Sequence, residues 1–183
     1  TQIYNTMAKI INNSADYGDA RGFRLENAGP TGSFPARLVD IEDNFDVDVQ
    51  KYGGAIGETE KKNVTEFLFA YNADGQTHLV KSWEMTQSGG ERSALYKLLS
   101  QMLGEPPVFD GNYDYCDEIG QTCQVTVASK TSKKGKTYNC IASVAPLLSE
   151  LMDKAPKLED VEIPDGRRVA LPSADQDAFA IEE

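Results

Sequence analysis

Val39, Ile41, Phe45, Val47 and Val49 fall at odd positions along one short stretch of the chain. Successive side chains of a strand point to opposite faces, so this spacing demands a long strand with one buried face and excludes an amphipathic helix there. The segment before it, from Phe34, is extended as well, because Pro35 pushes its predecessor out of the helical region. Asp40, Glu42, Asp43, Asp46 and Asp48 run along the same strand. They read as a solvated strand face, with a divalent-cation site as the alternative.

The rest of the chain follows from that strand. Gln50 to Asn63 is polar and holds Gly53, Gly54 and Gly57, which predicts a long loop. Val64 to Tyr71 is a second strand. Asp74-Gly75 supplies the positive φ of a hairpin turn, and Thr77 to Thr86 is a third strand. Leu95, Leu98, Leu99, Met102 and Leu103 recur at helical spacing until Gly104 and Pro106-Pro107 end the run. Thr122 to Ser129 and Thr137 to Val144 are a fourth and fifth strand, and a short helix is expected around Leu147 to Met152. Five strands with a helix between the third and fourth is the order of an oligonucleotide-binding (OB) barrel. The predicted fold class is therefore mainly β: a five-stranded OB barrel with an N-terminal arm and a disordered acidic C-terminal tail. The expected division is an arm over 1–33, the barrel over 34–152, and a charged linker and acidic tail over 153–183.

Charge narrows the function. The 183 residues carry 29 carboxylates against 18 Lys and Arg, a net charge of −11. General adhesion to duplex DNA or anionic membrane is not expected of such a chain. No apolar run reaches the about 18 residues of a membrane helix, and no charged-then-apolar leader is seen. Three irregularly spaced cysteines do not make a disulfide framework, so a reducing cytoplasm is the expected setting. His78 stands alone in a strand, and no phosphate loop, nucleophile elbow or metalloprotease pattern occurs. Cys116, Cys123 and Cys140 form no CxxC pair. Cys123 and Cys140 are expected to be buried thiols in phase with the core. Neither an enzyme nor a cofactor is expected.

Binding signals are stronger. Lys130, Lys133, Lys134 and Lys136 crowd one hairpin turn, a local reversal of sign in an acidic chain. A solvated turn is the alternative. Phe67, Phe69 and Tyr71 alternate with Leu68 and Ala70, leaving rings for one face of the second strand. Lys81 and Trp83 share a face of the third. Rings beside lysines suit single-stranded nucleic acid, whose bases stack while phosphates meet cations. The alternative is that the two ends of the chain cover those rings. Tyr52, Lys61 and Lys62 lie in the first long loop, which flanks the binding face in such barrels.

Four segments resemble bacteriophage single-stranded DNA-binding proteins of the OB-barrel type. They are Gly32-Ser-Phe-Pro-Ala-Arg-Leu-Val-Asp-Ile, Leu98-Leu-Ser-Gln-Met-Leu-Gly-Glu-Pro-Pro, Ile119-Gly-Gln-Thr-Cys-Gln-Val-Thr-Val and Lys134-Gly-Lys-Thr-Tyr-Asn-Cys-Ile-Ala-Ser-Val-Ala-Pro. Tyr138, Ile141 and Val144 match the family's strand after its lysine-glycine-lysine turn. The resemblance covers roughly 30–146 and omits the N-terminal arm. It implies sequence-independent coating of single-stranded DNA during phage replication or recombination, in the cytoplasm of the infected bacterium. The acidic end is similar to the tips by which cellular single-strand-binding proteins recruit replication proteins. Its residues are Asp175, Asp177, Phe179, Ile181, Glu182 and Glu183, and it departs from those tips in ending Ile-Glu-Glu. A solubilising tail is the alternative there. For the whole chain, the rival function is a phage structural or protein-interaction module with an OB-like barrel and no nucleic acid. A third reading is a small metal-dependent nuclease using the carboxylates of Asp40 to Asp48.

Overall fold

A computed structural model describes residue 25, residues 29–131 and residues 135–163. Its strands are β1 (Gly32–Gln50), β2 (Thr59–Ala73), β3 (Gln76–Lys81), β4 (Met85–Thr86), β5 (Thr122–Thr131) and β6 (Thr137–Ala145), with helix α1 (Ala94–Leu103) between β4 and β5. All pairings are antiparallel. The sheet path is β3-β2-β1-β5-β6, with β4 attached to β2.

Two expectations about the strands are corrected. The third strand is two pieces, because Ser82 takes over the ladder. Its hydroxyl accepts the Phe67 N–H at 2.9 Å and its own N–H donates to the Phe67 carbonyl at 2.8 Å. The side chain thus replaces a backbone acceptor, and β3 ends at Lys81. The long loop expected over 50–63 is shortened by strand at both ends. β1 continues to Gln50, β2 begins at Thr59, and only eight residues turn between them. A bulge between Asn44 and Val47 carries β1 into this ribbon, with Asp46 at φ 53° and its N–H donating to Asn63 Oδ1. Asp tolerates that left-handed backbone better than a β-branched residue would.

The core lies on one face of the sheet. Ala36, Leu38, Phe67, Phe69 and Tyr71 from β1 and β2 meet Cys123, Val125, Val127, Ile141 and Val144 from β5 and β6. Leu95, Leu98, Leu99 and Met102 of α1 close this core, as their spacing predicts. The Ser93 hydroxyl accepts the Tyr96 N–H at 3.1 Å, and Gly104 at φ 77° ends the helix by donating to the Ser100 carbonyl.

The other face of β1 and β2 is covered by chain from both ends. Val39, Leu68 and Ala70 are buried under Ile163, with Leu25, Leu158 and Val161 beside them. Arg37 holds the covering strap, donating to the Pro156 carbonyl and the Gly120 carbonyl, each at 2.6 Å. The strap therefore stays in contact with the sheet well past residue 152.

No hydrogen-bonded ladder joins β3 to β6 among the described residues, and the sheet is open there. The two strands still approach each other. Gly29-Pro30 is tied to β6 and to β2, the neighbour of β3. Tyr71 donates its hydroxyl to the Pro30 carbonyl at 2.9 Å, and the Asn139 amide donates to the Gly29 carbonyl. A Cβ at position 29 would sit 2.7 Å from the His78 ring, so only glycine fits.

Candidate nucleic-acid interface

The β5–β6 hairpin carries an exposed ring beside exposed lysines. Lys130 lies directly opposite Tyr138 in the ladder, so the two side chains share one face. Their Cβ atoms stand about 5 Å apart in such a pair. Tyr138 is 44% exposed, and Lys130 and Lys136 are exposed at the same end of the hairpin. Lys130 has no ion pair among the described residues. The inward face of the same two strands carries Val125, Val127, Ile141 and Val144, which anchor the hairpin in the core. Asn139, next to Tyr138, ties it to Gly29. Lys133 and Lys134 lie outside the described residues, as does the acidic tail from Asp175 to Glu183.

The other expected site residues are placed elsewhere. Phe67, Phe69 and Tyr71 are fully buried, which corrects their expected role: a ring at 0% exposure offers no face to a base. Both faces of β2 are covered, one by α1 and the core, the other by the strap. Phe67 stacks on Tyr115 at 5.9 Å, and Tyr71 stacks on Phe34 at 4.8 Å. Trp83 is 41% exposed just beyond β3. Its neighbour Lys81 is bound to Glu66 at 3.0 Å. Lys61 pairs with Asp48 and Lys62 with Glu60, both at 2.8 Å, along the β1–β2 ribbon. Exposed pairs of this kind contribute little to stability, yet each places a carboxylate beside the cation that was to meet a phosphate. Tyr52 is at the ribbon tip, almost completely exposed and well along β1 from the stretch Gly32–Arg37 that pairs with β5.

A polar cluster sits at the root of the ribbon. Tyr115 donates its hydroxyl to Asp43 Oδ1 at 2.7 Å, linking β1 to the short 3-10 turn Tyr115–Glu118. Burial raises the Asp43 carboxyl above its ordinary value, and the hydrogen bond from Tyr115 offsets part of that rise. Burial also raises the Tyr115 hydroxyl and the Cys116 thiol, helped in both by the nearby Asp43 charge. Burial pushes the Cys123 thiol up to about 12. Neither thiol is poised as a thiolate nucleophile. Cys140 is only half-buried and faces outward opposite Ala128, a correction to its expected burial. The cause is the irregularity between Thr126 and Val127, which puts Ile141 rather than Cys140 on the core face. Among the described residues no three His, Cys, Asp or Glu side chains converge as metal ligands, and no helix is long and apolar enough to cross a membrane.

Tyr138 is the residue that reasoning on single strands overlooked as a base-stacking candidate. The signal was present: its distance from the turn pairs it with Lys130 once the hairpin is closed. No protein-family model matches the chain, and a search of curated proteins returns no match.

Proposed function

We propose that the chain binds single-stranded DNA without sequence preference, using the outward face of the β5–β6 hairpin. The observation that carries this reading is the Lys130–Tyr138 cross-strand pair beside Lys136 in a chain of net charge −11. A base stacks on the tyrosine, and the lysines of the turn meet the flanking phosphates. The strand path supports the reading: β3-β2-β1-β5-β6 with a helix before β5 is compatible with an OB barrel that would close between β3 and β6. The proposed role is coating rather than catalysis, in the phage-replication setting that the sequence resemblance implies. Trp83 remains a secondary stacking candidate through its exposure.

The test is titration of labelled oligo-dT with wild-type chain and with Tyr138→Ala. The variant is expected to lose about 1–3 kcal/mol of binding with an unchanged melting curve, since its ring is exposed. Unchanged affinity would remove the hairpin from the reading.

A second reading, a protein-interaction module, is favoured by one specific observation. The lysines of the β1–β2 ribbon are matched with carboxylates, which suits a protein partner better than a polyanion.

A further inference from the structure

The outward face of the β5–β6 hairpin does not end at Lys130 and Tyr138. Side chains on one face of a sheet recur at every second residue, so Ala128 and Cys140 form the next outward row. Thr126 and Ser143, opposite each other, form the row after it. β1 widens that row, because Ser33 lies opposite Thr126 on its other side. The core fixes this alternation: Phe34, Val125 and Val144, the neighbours of these three residues, point inward. The strap on this side of the sheet buries Val39 and is held by Arg37. It leaves the Ser33–Thr126–Ser143 row open, with Ser33 and Ser143 exposed.

The row has hydrogen-bond donors to spare. Ser33 Oγ and Thr126 Oγ1 are 3.0 Å apart, so one hydroxyl donates to the other. Whichever of them accepts keeps its own proton for an outside acceptor. Ser143 adds a third hydroxyl. Serine and threonine hydroxyls are common donors to phosphate oxygens in nucleic-acid complexes. Charge points the same way. The chain holds 29 Asp and Glu, yet neither β5, nor β6, nor the Gly32–Arg37 stretch of β1 contains one. Lys130 stands at one end of this face, and Arg37, opposite Thr122, stands at the other. Two backbone carbonyls hold the Arg37 guanidinium without neutralising it. The complement of a hydroxyl-bearing face with cations at both ends is a polyanion.

The spacing suits the polyanion already placed on Tyr138. Thr126 is four residues from Lys130, about 13 Å at strand rise, which is the rise of about four stacked nucleotides. We propose that the Ser33–Thr126–Ser143 row is a second contact for the same single-stranded DNA, donating to the phosphates of nucleotides that follow the base stacked on Tyr138. Ala128 and Cys140, small side chains in the row between, let the sugar-phosphate chain lie close to the sheet. The inference rests on the single-strand reading and adds a path to it. The DNA runs from the hairpin turn along β5 and over β1 at Ser33, away from the carboxylates of the β1–β2 ribbon.

Anisotropy of labelled oligo-dT of about 16 nucleotides, long enough to span both contacts, tests the proposal. A triple variant (Ser33→Ala, Thr126→Val, Ser143→Ala) removes the three hydroxyls. It is expected to bind at least about tenfold more weakly than wild type, as loss of hydrogen bonds to a charged acceptor requires. Its salt slope should match that of wild type, because no cation has been removed. If the triple variant melts earlier than wild type, Ser33→Ala with Ser143→Ala, both at exposed positions, takes its place. Wild-type affinity in the variant would overturn the second contact and leave the Lys130–Tyr138 reading standing. So would a loss with a shallower salt slope, which would trace to displaced lysines. An equal loss for a polyglutamate peptide would assign the face to acidic proteins instead. A wild-type chain that binds no oligo-dT would overturn both readings together.

Discussion

Asp43 is a carboxyl placed where its charge is costly. Its raised pKa comes first from burial, against which the Tyr115 hydrogen bond works only in part. The folded chain therefore binds this proton more tightly than the unfolded chain does. Where the folded state holds more protons, stability rises as pH falls. The contribution of Asp43 should accordingly be least favourable at neutral pH and improve as pH drops toward its ordinary value of 3.8. Replacement by Asn keeps an oxygen to accept from Tyr115 and removes the titration. Urea melts of wild type and Asp43→Asn between pH 7 and pH 4 should show the difference between them shrink or reverse in favour of wild type with acid. A constant difference would mean that Asp43 does not change its protonation on folding. Gly29, by contrast, matters for what it lacks: the His78 ring occupies the space of any side chain there.

α1 was legible as an element because its apolar residues repeat on one face and glycine follows the last of them. Its stability depends on a detail at the first turn. The Ser93 hydroxyl accepts from the Tyr96 N–H and donates to the Ser88 carbonyl at 2.8 Å, so it ties the helix to the preceding loop as well as capping it. Ser93→Ala should cost about 0.5–2 kcal/mol in chemical denaturation. It should leave oligo-dT affinity unchanged, because α1 packs on the core side of the sheet and not on the outward face that carries Lys130 and Tyr138. The ribbon was less legible. Its polar alternation looks like loop sequence, and only the ladder of Val47 with Lys62, Asp48 with Lys61 and Val49 with Glu60 shows that it remains paired. The separation of β3 from β4 was hidden for a similar reason, since a serine in a strand gives no warning that its hydroxyl will replace a ladder acceptor.

Across the whole molecule, the distribution of charge decides which lysines are available to a polyanion. For single strands, binding falls with salt by about 0.7 logarithmic units per phosphate neutralised. If the hairpin cations Lys130, Lys133, Lys134 and Lys136 carry the contacts, the log–log slope should be about −3. If Lys61, Lys62 and Lys81 joined them, it would approach about −5. Fluorescence anisotropy of labelled oligo-dT over a salt series separates the two cases. The smaller slope is expected, because the structure places a carboxylate within 3.0 Å of each of those three ammonium groups. A slope near zero would make all the lysines bystanders.

By itself the sequence determined what periodicity encodes: a mainly β chain, its strand order, one core-facing helix, and a cationic turn in an acidic background. Those features are local, set by alternation, by helical spacing and by glycine and proline. Which rings meet solvent was not local. Phe67, Phe69 and Tyr71 have a pattern equally suited to an exposed aromatic face or a buried one. Burial was decided by α1 on one side and by the Arg37-held strap, distant in sequence, on the other. The pairing of Lys61 with Asp48 and of Lys81 with Glu66 likewise required the strands to be in register. So did the meeting of Lys130 and Tyr138, because adjacency across a sheet is a property of chain pairing and not of chain order.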